Sequence, residues 1–165
     1  MVQHAEVRDG EHVTRPAPVE RPRWFLPTAW VLAVAGLAIS VYLTVAHYQE
    51  GALVCTTTST VDCHSVTTSK YSELAGIPLP LLGLVFFLGF AALITPAALR
   101  SPRPAFRWGR LAAVSAGLLF VVYLVTAELA ILHKICLWCT GVHVITVLLF
   151  VLVLLDEFRR LGQVD

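Results

Sequence analysis

The sequence predicts an all-α integral membrane protein, a four-transmembrane-helix bundle with both termini cytoplasmic. Three observations carry this. Of 165 residues, 57 % belong to the hydrophobic set and 14 % are charged, far too apolar for a domain that must clothe itself in polar side chains. Four stretches reach the roughly 20 mostly apolar residues needed to cross a ~30 Å hydrocarbon layer. Ten of the twelve Lys and Arg residues fall in segments that share one side under a four-span arrangement, and Lys and Arg prefer cytoplasmic flanks.

The elements follow in order. Residues 1–23, MVQHAEVRDGEHVTRPAPVERPR, are polar, rich in Pro and Arg and without periodicity, so a disordered cytoplasmic tail is expected. The membrane domain is placed at 24–156 and a cytoplasmic C-terminal tail at 157–165. Span one runs from Trp24 to Tyr48; its VLAVAGLA text has the small residues of a secretory signal, but the apolar run is too long and further spans follow, so it reads as an uncleaved helix. A Ser- and Thr-rich outer loop comes next, then span two from Ile77 to Leu99. Arg100, Arg103, Arg107 and Arg110 mark a cytoplasmic link, and span three runs from Leu111 to Leu132. Only His133, Lys134 and Ile135 separate it from span four, Leu137 to Leu155, after which Arg159 and Arg160 return to the cytoplasmic side. Lys70 and Lys134 are the basic residues of the two outer loops. A formal net charge of +1 gives no pull toward nucleic acid, and no nucleic-acid partner is expected; the apolar spans make lipid one. The expected location is the plasma or inner membrane.

This topology puts all four cysteines on the extracytoplasmic side, where disulfides form and persist. Cys136 and Cys139 form a Cys-x-x-C in the first turn of the last helix. Such a bridge closes a very small loop and contributes little stability. A helix N-terminus instead favours a thiolate, the species that attacks disulfides, and Lys134 adds positive charge. This pair therefore reads as redox-active. Cys55 and Cys63 lie in CTTTSTVDC, with no aliphatic or aromatic cluster to bury them; the loop reads as exposed and mobile, open to either a structural staple or a shuttle role. Together the two pairs have the form of a dithiol–disulfide relay. A zinc site built from Cys55, Cys63, His64, His133, Cys136 and Cys139 has enough ligands, but the wide Cys55–Cys63 spacing and an oxidising compartment disfavour it; no metal is expected.

The run CTTTSTVDCHSVTTSKYSELAGIPLPLLG, with the later CLWC, resembles the vitamin K epoxide reductase (VKOR) family, as a bacterial-type homologue. The resemblance spans about Trp30 to Leu155. It rests on the spaced pair Cys55 and Cys63, Ser69 six residues on, Gly76-Ile77-Pro78 entering span two, and Cys136 and Cys139 opening span four. DsbB-type oxidases resemble the chain less, because their Cys-x-x-C lies in the first outer loop. The resemblance implies a quinone-linked thiol oxidoreductase that generates disulfides. Cys55 and Cys63 would take electrons from a thioredoxin-like (DsbA-like) protein, Cys63 would exchange with Cys136, and Cys139 would face a quinone of the menaquinone, ubiquinone or vitamin K type. Family members often carry a fused thioredoxin-like domain; here the chain stops at Asp165, so the partner is expected to be a separate protein.

Quinone reduction needs a hydrogen-bond or proton donor as charge grows on the ring oxygens. His143 stands four residues after Cys139, on the same helix face one turn deeper; animal members of the family carry Tyr at the matching place. A quinone contact and a plain interhelical hydrogen bond are both open for it. Glu128, about one turn inside span three, should face the bundle, either at the quinone or paired with His47, His133 or Lys134. Ser69 and the following half-helix or turn would cap the quinone pocket. Trp24, Trp30, Trp108 and Trp138 read as interfacial anchors, and Trp138 would also cover the site. Phe86, Phe87 and Phe90 line the pocket or pack outward. Two other readings remain: a quinone or epoxide reductase that uses thiols only as reductant, against which span two lacks the Asn of the animal epoxide reductases, and a non-enzymatic scaffold with structural disulfides.

Overall fold

A computed structural model describes residues 21–49 and 51–162. The expected disordered tail lies almost wholly outside the described residues, as do Arg8 and Arg15. Helix α1 is Phe25–Tyr48, the short α2 is Cys63–Thr67, strands β1 and β2 are Glu73–Leu74 and Ile77–Pro78, α3 is Leu79–Leu93, α4 is Pro96–Arg100, α5 is Pro104–Thr126 and α6 is Leu137–Leu161. A π-helical turn, Ala127–Leu132, extends α5. Among the described residues three helices are long and apolar enough to cross a membrane: Phe25–Tyr48, Pro104–Leu132 and Leu137–Leu161.

The second expected span differs. Instead of one helix from Ile77 to Leu99, its first two residues form a strand, and α3 has 15 residues, about 22 Å of rise. Thr95 breaks the run, held extended (ψ 147°) before Pro96, because the Pro ring disfavours helical backbone at the residue before it. The Thr95 hydroxyl accepts a bond from the Ala98 amide at 3.3 Å and so starts α4. The last helix outruns the expectation in the other direction, continuing through Leu161.

Around the bundle the neighbours run α1, α3, α5, α6 and back to α1. The sequence of α1 explains its central place. Ala29, Ala33, Gly36, Ser40 and Leu43 recur every three or four residues and are all buried, a narrow stripe of mostly small residues that lets other helices approach closely. Phe87 of α3, fully buried, sits against Gly36. With Phe25, Phe90, Ile94, Val114 and Leu149 it makes one continuous core. Outward, Val31, Val34, Val85, Leu119, Val122 and Val144 are exposed, an apolar coat that suits lipid rather than water.

A Cβ placed on Gly36 would clash with the Phe87 ring, which is fully buried and would have to shift. Gly36→Ala is therefore expected to destabilise the bundle by about 1–3 kcal/mol, read as a lower unfolding temperature in detergent. Adding Phe87→Leu should recover much of the loss. Equal stability of wild type and the single variant would contradict this packing.

The arginines and cysteines occupy opposite ends. Arg21 before α1, Arg107 and Arg110 in α5 and Arg160 in α6 gather around Asp156 and Glu157. The cysteines sit where α1 ends, where the α5 turn closes and where α6 begins.

Candidate active site

The site is built by a short link and a long loop that zip together. His133, at φ 52° and ψ 30°, adopts the left-handed conformation that ends the π-helical turn, and its amide and that of Lys134 both donate to the Glu128 carbonyl. The chain then runs extended into Ile135. Val61 of the loop pairs beside Ile135 in parallel; the Ile135 amide donates to Thr60 O at 2.9 Å, and the Asp62 amide to Ile135 O at 3.1 Å. The Lys134 ammonium donates to Ser59 O at 2.8 Å. It is engaged by the loop backbone, whereas the sequence suggested a charge for the thiols.

Asp62 starts α2. Its carboxylate accepts from the Ser65 hydroxyl at 2.6 Å and the Ser65 amide at 3.0 Å, which holds its pKa below the ordinary value, the hydroxyl bond first. A lowered pKa means that this cap is in place above the usual carboxylate range and is lost only as pH falls through the depressed value.

Residues 56–60 of the loop are exposed, as expected, but one of its cysteines is not. Cys63, the first residue of α2, is fully buried, in one cluster with Val66 and Cys136, against which Leu53, Cys55, Leu132 and Cys139 pack. Val66 and Leu53 flank it in the chain, but Leu132, Cys136 and Cys139 come from the far side of the sequence, and the Ser- and Thr-rich text around Cys63 gives no sign of them. Cys55 and Cys63 are joined in a disulfide, while Cys136 and Cys139 are free thiols.

Cys136 caps α6 rather than standing within its first turn: the Cys139 amide donates to the Cys136 sulfur at 3.2 Å. A hydrogen bond from the Cys139 thiol pulls the Cys136 thiol below its ordinary pKa, with burial opposing. A sulfur that accepts two bonds at a helix start is placed to carry negative charge.

Below the thiols lies a small cavity of about 90 Å³, partly open to the surface. Leu43, Leu79, Leu124 and Val142 give it apolar walls, and Ser69, Glu128, Cys139 and His143 bring polar atoms to its surface. The structure thus brings together four of the residues singled out in the sequence. Ser69 ends the α2 turn with its hydroxyl donated to Val66 O at 2.8 Å. Glu128 is buried, its carboxyl facing the Cys136 amide; among the described residues it pairs with none of His47, His133 or Lys134, and His47 instead lies 3.9 Å from Glu73. The His143 ring, also buried, makes no hydrogen bond to another described residue.

Two residues go elsewhere. Phe87 lines an adjoining groove between α3 and α5, along which Gly83, Gly117 and Phe120 also lie and which shares His143 and Val142 with the cavity. Trp138 does not cover the cavity. Its indole donates to Val54 O at 2.9 Å and stacks, tilted, on Tyr42 at 4.7 Å, on the side where the loop leaves α1. Tyr42, unnoticed in the sequence, accepts from the Val54 amide at 2.7 Å and donates to Ala52 O at 3.2 Å. A lone Tyr near the end of an apolar helix looks like an interfacial anchor, so no local signal marked it. Ser72 and Tyr71, which also line the cavity, were read only as part of a connecting segment.

A disulfide packed against a free dithiol, with one thiol of that dithiol opening on an apolar cavity, defines the working parts of a membrane thiol oxidoreductase. Residues 27–154 match the model of the Vitamin K epoxide reductase family, and the chain belongs to that family. It is an oxidoreductase of the membrane.

Proposed function

We propose that this protein is a quinone-linked disulfide-generating enzyme, passing electrons from a thioredoxin-like (DsbA-like) partner outside the cytoplasm through its two cysteine pairs to a membrane quinone. The observation that carries the reading is the position of Cys139 and His143 on one apolar cavity, with Cys63 buried against Cys136 directly above it. In this reading the membrane domain, 24–156, crosses four times. The pair α3–α4 makes the second crossing, the arginine end is cytoplasmic, as the positive-inside preference directs, and the cysteine end faces out.

The cavity suits a quinone ring: mostly apolar walls, with Ser69, Glu128 and His143 in the lining as polar groups for two carbonyl oxygens. The groove that adjoins it past Phe87 and Phe86 offers an apolar path for an isoprenoid tail. A quinone supplies a two-electron, two-proton sink.

The steps balance as follows. The partner's dithiol reduces the Cys55–Cys63 disulfide and leaves oxidised. The Cys63 thiolate then attacks a Cys136–Cys139 disulfide at Cys136, and Cys55 resolves the mixed disulfide, re-forming Cys55–Cys63 and leaving two thiols at 136 and 139. This is the oxidation state of the structure. Cys136 and Cys139 close their disulfide again as two electrons and two protons leave through Cys139. His143 and Glu128 are the cavity groups able to hold those protons.

Quinol formation by purified protein, a reduced thioredoxin-like partner and quinone tests the reading. His143→Phe is expected to lower turnover about 100-fold with the KM for quinone changed less, and His143→Tyr, which keeps a donor, to restore most of it. A His143→Phe enzyme as fast as wild type would remove the proton-donor role.

A further inference from the structure

At the end of the bundle away from the thiols, charge is buried out of balance. Four guanidinium groups, from Arg21, Arg107, Arg110 and Arg160, surround two carboxylates, Asp156 and Glu157. Arg21 Nε reaches both Asp156 oxygens at 3.2 Å, and a further Arg21 nitrogen donates to Leu99 O at 3.1 Å. Arg160 Nε lies 3.6 Å from Asp156, and Arg107 contacts Glu157. Arg110 is 4 % exposed, within electrostatic reach of Arg21, Arg160, Asp156 and Glu157.

Among the described residues the pairing leaves an excess of two positive charges. It also leaves polar atoms over: Arg21 Nη2, Arg107 Nε, Arg110 Nη1 and Arg160 Nε, four nitrogens against one carboxylate oxygen, Glu157 Oε1, are buried without a hydrogen-bond partner among the described residues. Buried charge without compensation is strongly unfavourable, and the guanidinium fork matches phosphate oxygens. Arg107 and Arg160 are only partly covered, at 38 % and 23 % side-chain exposure, so the cluster is reachable from the bundle surface at the depth where lipid headgroups lie.

We propose that this cluster binds the phosphate of an anionic phospholipid, a site separate from the thiol chemistry. The lipid phosphate accepts from Arg107, Arg110 and Arg160 and balances the excess charge, with its acyl chains along the exposed apolar helix faces. The Asp156–Arg21 pair stays intact and positions the others.

The test is thermal unfolding of the full chain in mixed micelles. Phosphatidylglycerol is expected to raise the unfolding temperature by about 4 °C or more relative to the same fraction of phosphatidylcholine, and inorganic phosphate to do much less. Native mass spectrometry should find phosphatidylglycerol retained. Arg107→Gln with Arg160→Gln should remove most of the lipid-dependent shift. Glu157→Gln, which takes away a carboxylate, should enlarge it, whereas a purely internal ion-pair role predicts a loss of stability with no gain in lipid response. Equal shifts with both lipids, or a shift with inorganic phosphate as large as with phosphatidylglycerol, would overturn the proposal. If the double arginine variant does not fold, the comparison of lipids on wild type decides.

Discussion

Cys139→Ser should abolish quinol production by about a thousandfold or more, equivalent to ~4 kcal/mol of barrier, with the unfolding temperature nearly unchanged. Cys139 is the cysteine that lines the cavity. Cys136 is fully enclosed between α2 and the start of α6, where it can meet Cys63 but has no surface on the cavity. With serine at 139, electrons that reach Cys136 have no thiol through which to leave. A small effect on stability is expected because both thiols are free in this state, the Cys139 amide bond to the Cys136 sulfur is kept by serine, and the serine hydroxyl can donate in place of the Cys139 thiol. The scaffold reading predicts the reverse, a destabilised protein with no activity to lose. In the double variant Cys55→Ser with Cys139→Ser, each reactive sulfur has lost its resolving partner, so a Cys63–Cys136 disulfide should accumulate under mild oxidation and be visible by mass spectrometry of non-reduced peptides. Its absence would break the link between the two pairs.

Cys63→Ser should separate the two halves of the relay. Oxidation of a thioredoxin-like partner is expected to fall by about a thousandfold, because the only buried sulfur placed against Cys136 from the loop is gone. Quinol formation driven by a small dithiol should persist within about tenfold of wild type, since such a reagent can reduce Cys136–Cys139 without the loop. The measurement is one enzyme preparation assayed with both reductants. Loss of both activities to the same degree would mean that Cys63 supports the fold instead of carrying electrons; loss of neither would remove it from the pathway.

Much of the site could be read from the chain, and the failures have physical causes. The expectation that Cys136 and Cys139 are redox-active rests on their place at a helix start, and the structure keeps them there with Cys136 as the cap. His143 follows from helical spacing, and it shares the cavity wall with Cys139. Ser69 and Glu128 also reach that wall. The break at Thr95–Pro96 was legible in ALITPAALR and passed over because the run is uniformly apolar; hydropathy does not register a backbone that cannot continue. Trp138 was placed over the site because it lies between the two cysteines, yet successive residues of a helix point in different directions, and its indole faces Val54.

Alone, the sequence determined which segments are apolar enough for lipid, which end carries the arginines, and where thiols and helix starts coincide. Each depends on residues near one another in the chain, so composition and a period of 3.6 are enough to find them. Tertiary structure decided that Cys63 is buried, that Lys134 is bound to Ser59, that Tyr42 and Trp138 anchor the loop, and that four arginines share two carboxylates. Those facts join Val61 to Ile135, Val54 to Trp138 and Arg21 to Asp156. The partners lie more than seventy residues apart, and the energy that selects them, hydrogen bonds made and apolar surface closed only when the loop docks, has no trace in either segment taken singly.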